Sequence, residues 1–287
     1  ASTSKIIFIM TESSEEVLYT MATAIVAFGV IVITAIYCRN RQQMERKRNT
    51  ELHGEALFRQ PPLREECPIC FLPLPLDGLK SNYQSCCGKI ICNGCLHAVA
   101  KGDIRCLCPF CRAPMPASDG EYFEMVTKRA EVDDANAICQ LACYYRDEKY
   151  GLQQDLEKAN ELWLRAGELG VTNAYCTLGG SYFLGKGVER DFMKGKHFLE
   201  LAVMGGDVSA RHLLGVLDGD AGNMSRAVRH FMIAAGAGHD DSLRNIRECF
   251  VQGHATKEEF EKALRGHKEA TDEMTSDQRE EAAAADA

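Results

Sequence analysis

Basic residues are scarce relative to acidic ones. Thirty-three Lys and Arg stand against 41 Asp and Glu, a net charge of -8 over 287 residues. A general nucleic-acid binder needs clustered cations to displace counterions from phosphates, so no nucleic-acid partner is expected. The C-terminal half lacks a catalytic constellation. His197, His212 and His230 have no carboxylate at a fixed spacing and read as surface histidines. An even spread of cysteine is missing too. Nine of the 14 lie between Cys67 and Cys111. The other five, Cys38, Cys139, Cys143, Cys176 and Cys249, share no spacing and read as small buried apolar residues or inert thiols. The clustering, in CxxC pairs, points to metal before disulfides. The length leaves room for one large domain or two to three small ones.

Charge is absent from one stretch altogether, residues 17–38, "VLYTMATAIVAFGVIVITAIYC". As a helix these 22 residues reach about 33 Å, roughly the hydrocarbon thickness of a bilayer. Tyr19 and Tyr37 fall at its ends, where amphipathic rings favour the interface. Glu12, Glu15 and Glu16 precede it; Arg39, Arg41, Arg46, Lys47 and Arg48 follow it. The positive-inside rule then predicts a single-pass membrane protein, with residues 1–16 outside the cytosol and everything after Cys38 within it. Reduced thiols that bind zinc fit the same side. The chain opens on Ala1 rather than methionine, which leaves a processed start and a fragment edge equally open.

A basic, polar linker, 39–64, leads to three CxxC pairs: Cys67 and Cys70, Cys92 and Cys95, Cys108 and Cys111. Each such turn sets two thiolates at a separation suited to one tetrahedral zinc. The segment is too short to bury a sufficient core by itself, so metal would hold it together, with on the order of 10–16 kcal/mol available from a structural zinc.

The order of the pairs, the "CPIC" opening and the "CPFCRAP" closing make residues 65–116 resemble a RING finger, a small α+β module with two structural Zn2+ ions. The resemblance implies interleaved sites. One is Cys67, Cys70, Cys92 and Cys95; the other takes Cys108, Cys111 and a second pair from "YQSCCGKIIC". Cys87 occupies that pair's cysteine place. Lys89 stands where the common pattern has histidine, and a protonated lysine cannot ligate zinc. Cys86 is the nearest replacement, giving an eight-cysteine variant; Cys106 competes, and His97 is more distant. Adjacent side chains of an extended strand point to opposite faces, so the chain must turn here, and Gly88 makes a turn cheap.

The same resemblance implies a docking surface for a ubiquitin-conjugating enzyme. Ile69 lies inside the first CxxC, Pro109 follows the seventh ligand, Leu96 or Val99 belongs to the central helix, and Arg112 follows the last ligand. Such a module carries no nucleophile; it positions the charged enzyme and biases its thioester toward attack.

From about residue 120 the chain repeats itself. Ala137, Ala174, Ala210 and Ser242 recur, with Leu141, Leu178, Leu214 and Ile246 four residues after each. Asp155, Asp191 and Asn223 precede helical runs as caps. Ala166, Ala202 and Ala234 lie near the ends of those runs, with Gly170, Gly206 and Gly238 as stops. Each unit reads as helix, loop, helix, turn, and stacked units give an all-α solenoid. The period and its landmarks resemble Sel-1-like repeats, relatives of the tetratricopeptide repeat, over 133–270. A capping half-repeat, 117–132, precedes them, and 271–287 reads as a polar tail, frayed or disordered. Such solenoids are adaptors that hold other proteins.

The chain therefore reads as a multi-domain protein: membrane helix, zinc-bound RING-like module, helical-repeat solenoid. The expected function is a membrane-anchored RING-type ubiquitin ligase whose solenoid binds a protein substrate or adaptor. The alternative is a non-enzymatic membrane scaffold with a structural zinc module.

Overall fold

The computed structural model describes residue 39 and residues 54–62, 64–102 and 107–285. The expected membrane span, 17–38, lies outside them. Among the described residues no helix is long and apolar enough to cross a membrane. The chain divides into two compact parts, 1–56 and 57–287, and the architecture below is that of the second.

The cysteine-rich module is built around one small hairpin. Strand β1 (Ser81–Gln84) pairs antiparallel with β2 (Lys89–Cys92), in the register Ser81 with Cys92 and Gln84 with Lys89. The connecting turn closes with the Gly88 amide donating to the Gln84 carbonyl at 2.7 Å. Gly88 has φ +72, and a Cβ there would collide with the Arg129 and Asp134 side chains, so glycine is required twice over. Helix α1 (Asn93–Ala100) follows β2 directly.

The solenoid begins with a single helix, α2 (Asp119–Glu131). Pairs follow: α3 (Ala135–Arg146) with α4 (Leu156–Glu168), α5 (Thr172–Leu184) with α6 (Phe192–Met204), α7 (Val208–Asp220) with α8 (Met224–Gly236), and α9 (Asp240–Val251) with α10 (Lys257–Met274). Ala137, Ala174, Ala210 and Ser242 are all fully buried. Side chains this small let neighbouring helices approach closely. Leu178, Leu214 and Ile246 are buried beside them, while Leu141, next to the single-helix start, is half-buried. Gly170, Gly206 and Gly238 take φ of +103, +97 and +90 after α4, α6 and α8, the second helix of each of three pairs, as their stop role requires.

Asp155 and Asp191 cap α4 and α6 by accepting from the Lys158 and Lys194 amides. Asn223 does not act this way. Only residues 221–223 join α7 to α8, and Asn223 sits at φ -87, ψ 58 instead of the extended geometry of Asp155 and Asp191, so its side chain makes no cap bond. Thr256 and Glu259 form a capping box on α10.

Three further sequence expectations need correction. Residues 57–62, read as the end of a polar linker, pack into the solenoid: Leu57 is buried with Leu199, Val203 and Leu214. Through Ala285 the tail is ordered, not frayed. Helix α10 runs to Met274, and α11 (Asp277–Ala285) packs against α1, where Gly94 lets the Arg279 backbone come close. His230 is fully buried and His212 is half-buried, its Nδ1 3.0 Å from the Ser242 hydroxyl; neither is a surface histidine.

Candidate metal centres

Two of the CxxC turns are copies of each other. In the first, the Phe71 amide donates to the Cys67 carbonyl and the Cys67 amide to the Leu72 carbonyl, both at 2.9 Å. In the second, the Arg112 amide donates to the Cys108 carbonyl at 2.9 Å and the Cys108 amide to the Ala113 carbonyl at 2.8 Å. Phe71 and Arg112 hold φ of +58 and +59, uncommon for residues with side chains. Each loop is pinned by an isolated bridge, Glu66 to Pro73 and Leu107 to Pro114. These loops aim paired sulfurs at one point.

The other ligand pairs come from the hairpin and its helix. Cys92 ends β2 at the N-cap of α1 and Cys95 lies in the helix's first turn, where the positive end of the peptide dipoles favours thiolates. Cys86 and Cys87 occupy the β1–β2 turn. The turn overrides strand alternation, so both sulfurs reach the same partners: Cys86 is 3.4 Å from Cys111, and Cys87 is 3.9 Å from Cys108.

The result is two tetrads, Cys67, Cys70, Cys92, Cys95 and Cys86, Cys87, Cys108, Cys111, each with all sulfurs within 4.8 Å of one another. Cys67 to Cys95 is 3.9 Å and Cys70 to Cys92 is 3.8 Å. Four sulfurs at the corners of a tetrahedron with bonds of about 2.3 Å stand about 3.8 Å apart, so the spacing suits a tetrahedral thiophilic ion. Every described cysteine is a free thiol.

The electrostatics agree. Burial and neighbouring sulfurs push the Cys95 and Cys86 thiols up. Burial also opposes ionisation of Cys67, yet backbone amides, Cys70's foremost, bring it down to about 7. The Ala113 amide lowers Cys111. Crowded thiolates of this kind call for a cation at their centre.

Cys106 lies outside the described residues. His97 sits on α1 and joins neither tetrad. Lys89 is exposed, its Nζ 5.8 Å from the centre of the Phe110 ring. Ile69 and Leu96, both half-buried, pack against the cluster formed by Cys67, Ile91, Cys92 and Cys95. Pro109 is half-buried and Arg112 exposed on the other turn.

Sequence reasoning missed Arg279. From α11 its Nη2 reaches to 3.6 Å from the Cys70 sulfur, and its Nη1 donates to the Pro73 and Met274 carbonyls at 2.8 and 2.7 Å. Glu281 on the same helix pairs with Lys101, the C-cap of α1, at 2.7 Å. The available signal was Ser276 ahead of an alanine- and glutamate-rich run, a helix start with no apolar stripe to announce a partner. A second tie, equally unannounced, joins the hairpin to the solenoid. The Tyr83 hydroxyl donates to Asp134 at 3.0 Å, and the Arg129 Nε donates to the same carboxylate at 2.7 Å. A cleft of about 800 Å³ lies between module and solenoid, lined among others by Leu76, Gly94, His239, Met274 and Arg279, and by none of the tetrad cysteines.

Comparison with known proteins bears on the helical part. The Sel1 repeat family model matches residues 135–171 and 172–207, which are the α3–α4 and α5–α6 pairs. No curated protein matches the chain. Among solved structures, a Sel1 repeat protein from Oxalobacter formigenes is similar at 22% identity and TM-score 0.48, over 54% of this chain and 65% of that one. This chain therefore spans just under two thirds of that protein's length. Cysteine-rich protein B of Helicobacter pylori is similar at 26% identity and TM-score 0.31, over 32% of this chain and 69% of that one. A protective antigen of uropathogenic Escherichia coli displaying an SLR fold follows at 18% identity and TM-score 0.35, over 55% and 42%. The chain thus contains Sel1 repeats arranged as a helical solenoid, and two cysteine tetrads able to hold metal ions.

Proposed function

We propose that the chain is a membrane-anchored RING-type ubiquitin ligase, with its zinc module and solenoid on the cytosolic side. Cys67, Cys70, Cys92 and Cys95 would hold one Zn2+, and Cys86, Cys87, Cys108 and Cys111 the other. With four thiolates each, both ions are structural and keep no open position for water. The carrying observation is the second tetrad: Cys86 stands in for the missing histidine, so both centres of a two-zinc docking plate can be complete. Ile69, Leu96, Pro109 and Arg112 would receive a ubiquitin-conjugating enzyme. The Sel1 solenoid would hold a protein substrate or adaptor.

The test is paired. Elemental analysis of the purified chain is expected to give two zinc ions, and Cys86→Ser one. Ubiquitin chains are then expected with at least one member of a broad panel of conjugating enzymes, lost in Ile69→Ala at unchanged zinc content. Full zinc loading without transfer across the panel would sink the ligase reading.

A scaffold reading draws on the two ties between module and solenoid, at Asp134 and at Arg279. They suit a rigid protein-binding platform. On that reading Ile69→Ala leaves partner capture unchanged.

A further inference from the structure

Leu57 and Phe58 of segment 57–62 fill a solenoid groove that carries more positive charge than they can answer. Leu57 is 2% exposed, among Leu199, Val203, Ala210 and Leu214. Phe58 meets the His230 ring at a centroid distance of 4.5 Å, with the Arg229 guanidinium 3.7 Å and the Arg226 guanidinium 5.2 Å from its ring centre. Pro62 closes the other end against Gly206, where an added Cβ would come within 2.8 Å of the proline ring.

Arg211 is 3% exposed. Its guanidinium donates to the Leu57 carbonyl at 2.6 Å and the Val203 carbonyl at 3.4 Å, and burial holds its pKa down to about 10. A carbonyl is a dipole, whereas a buried guanidinium is best matched by a carboxylate. His230 is also fully buried, and neither ring nitrogen is hydrogen-bonded. Burial, with Arg211, Arg226, Arg229 and Lys196 around it, pushes His230 down to about 3. Asp218 lies 3.5 Å from its Nε2 but is engaged by Arg226 at 3.0 Å. Asp218 thus answers Arg226, and Arg211, buried with carbonyls as its hydrogen-bond acceptors, marks where a further anion would bind.

We propose that this groove recognises a partner segment carrying an aromatic side chain beside a carboxylate, and that residues 57–62 occupy it in cis as an intramolecular competitor. The partner's carboxylate replaces the Leu57 carbonyl at Arg211. Its ring takes the Phe58 position between His230 and Arg229. The inference rests on the reading of the solenoid as the partner-binding half. A charge-assisted contact favours the acidic partner over the cis segment, and the cis segment lowers apparent affinity by the fraction of time it fills the groove.

The probe is a fluorescein-labelled peptide, Ala-Leu-Phe-Glu-Glu, with Ala-Leu-Phe-Gln-Gln as control. Both are titrated by anisotropy into the detergent-solubilised full chain, its Phe58→Ala variant and its Arg211→Gln variant. The acidic peptide is expected to bind Phe58→Ala at least about tenfold tighter than the unaltered chain. It should outbind the neutral peptide by about tenfold, a preference that Arg211→Gln removes. In the unaltered chain, saturating acidic peptide should raise amide hydrogen exchange at 57–60, a readout that needs no variant to fold. Equal binding of the two peptides, or unchanged exchange at 57–60, overturns the proposal. Transfer of ubiquitin is a separate readout. A chain that transfers ubiquitin but ignores both peptides defeats this inference alone; one that binds the acidic peptide but transfers none defeats the ligase reading alone.

Discussion

The cysteine module and the solenoid exclude water by different means. In the module, the buried cluster is Cys67, Ile91, Cys92 and Cys95, so three of its four members are candidate metal ligands. In the solenoid, the clusters are mostly Ala, Val, Leu and Ile, with Tyr144, Trp163, Phe231 and Cys249 among them, and Tyr83 of the module's hairpin joins the first. With metal in both tetrads the module would concentrate its stabilisation at two points, whereas the solenoid distributes it along a line. A fold held at points should fail all at once; a fold held along a line should yield by degrees.

Metal removal is the largest expected breach of that contrast. A structural zinc contributes on the order of 10 kcal/mol to folding. After chelation, hydrogen exchange at β1, β2 and α1 should approach unprotected rates while α3 to α10 keep theirs. Equal loss in both regions would show that the solenoid leans on the module far more than the two ties suggest.

Trp163→Ala probes the distributed side. Trp163 is 2% exposed in the first cluster, and truncating a buried aromatic ring costs about 3–5 kcal/mol. A urea melt should show a loss of that order, with zinc content by elemental analysis unchanged. A fall in bound zinc would mean the two regions are not separable.

Gly88→Val sits where the regions meet. It forces a branched residue into φ +72 and drives its side chain into Arg129 and Asp134. A loss of about 1–3 kcal/mol in chemical denaturation is expected from the backbone alone. On the proposed zinc loading, the ion held by the Cys86 and Cys87 tetrad should become the first to exchange with a competing chelator. Unchanged exchange kinetics would show that the turn does not set the second tetrad.

The smallest effect compares two caps within the solenoid. Asp191→Ala should cost about 1 kcal/mol, because its carboxylate accepts from the Lys194 amide. Asn223→Ala should stay within about 0.5 kcal/mol, since Asn223 makes no side-chain cap bond. Matching thermal shifts for the two would mean that position in the repeat, and not the bond, sets stability.

Much of this was legible in one dimension. CxxC spacing picked out three of the cysteine pairs that meet in the tetrads, and the recurring alanines picked out helix contacts, because both patterns act between residues a few positions apart. Cys86 could be favoured over Cys106 on geometry, but the turn that brings it to Cys111 only becomes visible with the hairpin's register. Asn223 was misjudged because a shortened connection changed its backbone while leaving its place in the repeat intact.

The sequence by itself determined the ligand-pair spacing, the solenoid's period, its caps at Asp155 and Asp191, and the uncharged stretch that motivates the membrane proposal. Tertiary structure alone decided that Arg211 meets Leu57 across 154 positions and that Arg279 meets Cys70 across 209. It also buried His230, which sequence placed at the surface. Local patterns are fixed by backbone geometry within one or two turns. Which distant segments meet depends on the path of the whole chain, and no repeat or spacing encodes that path.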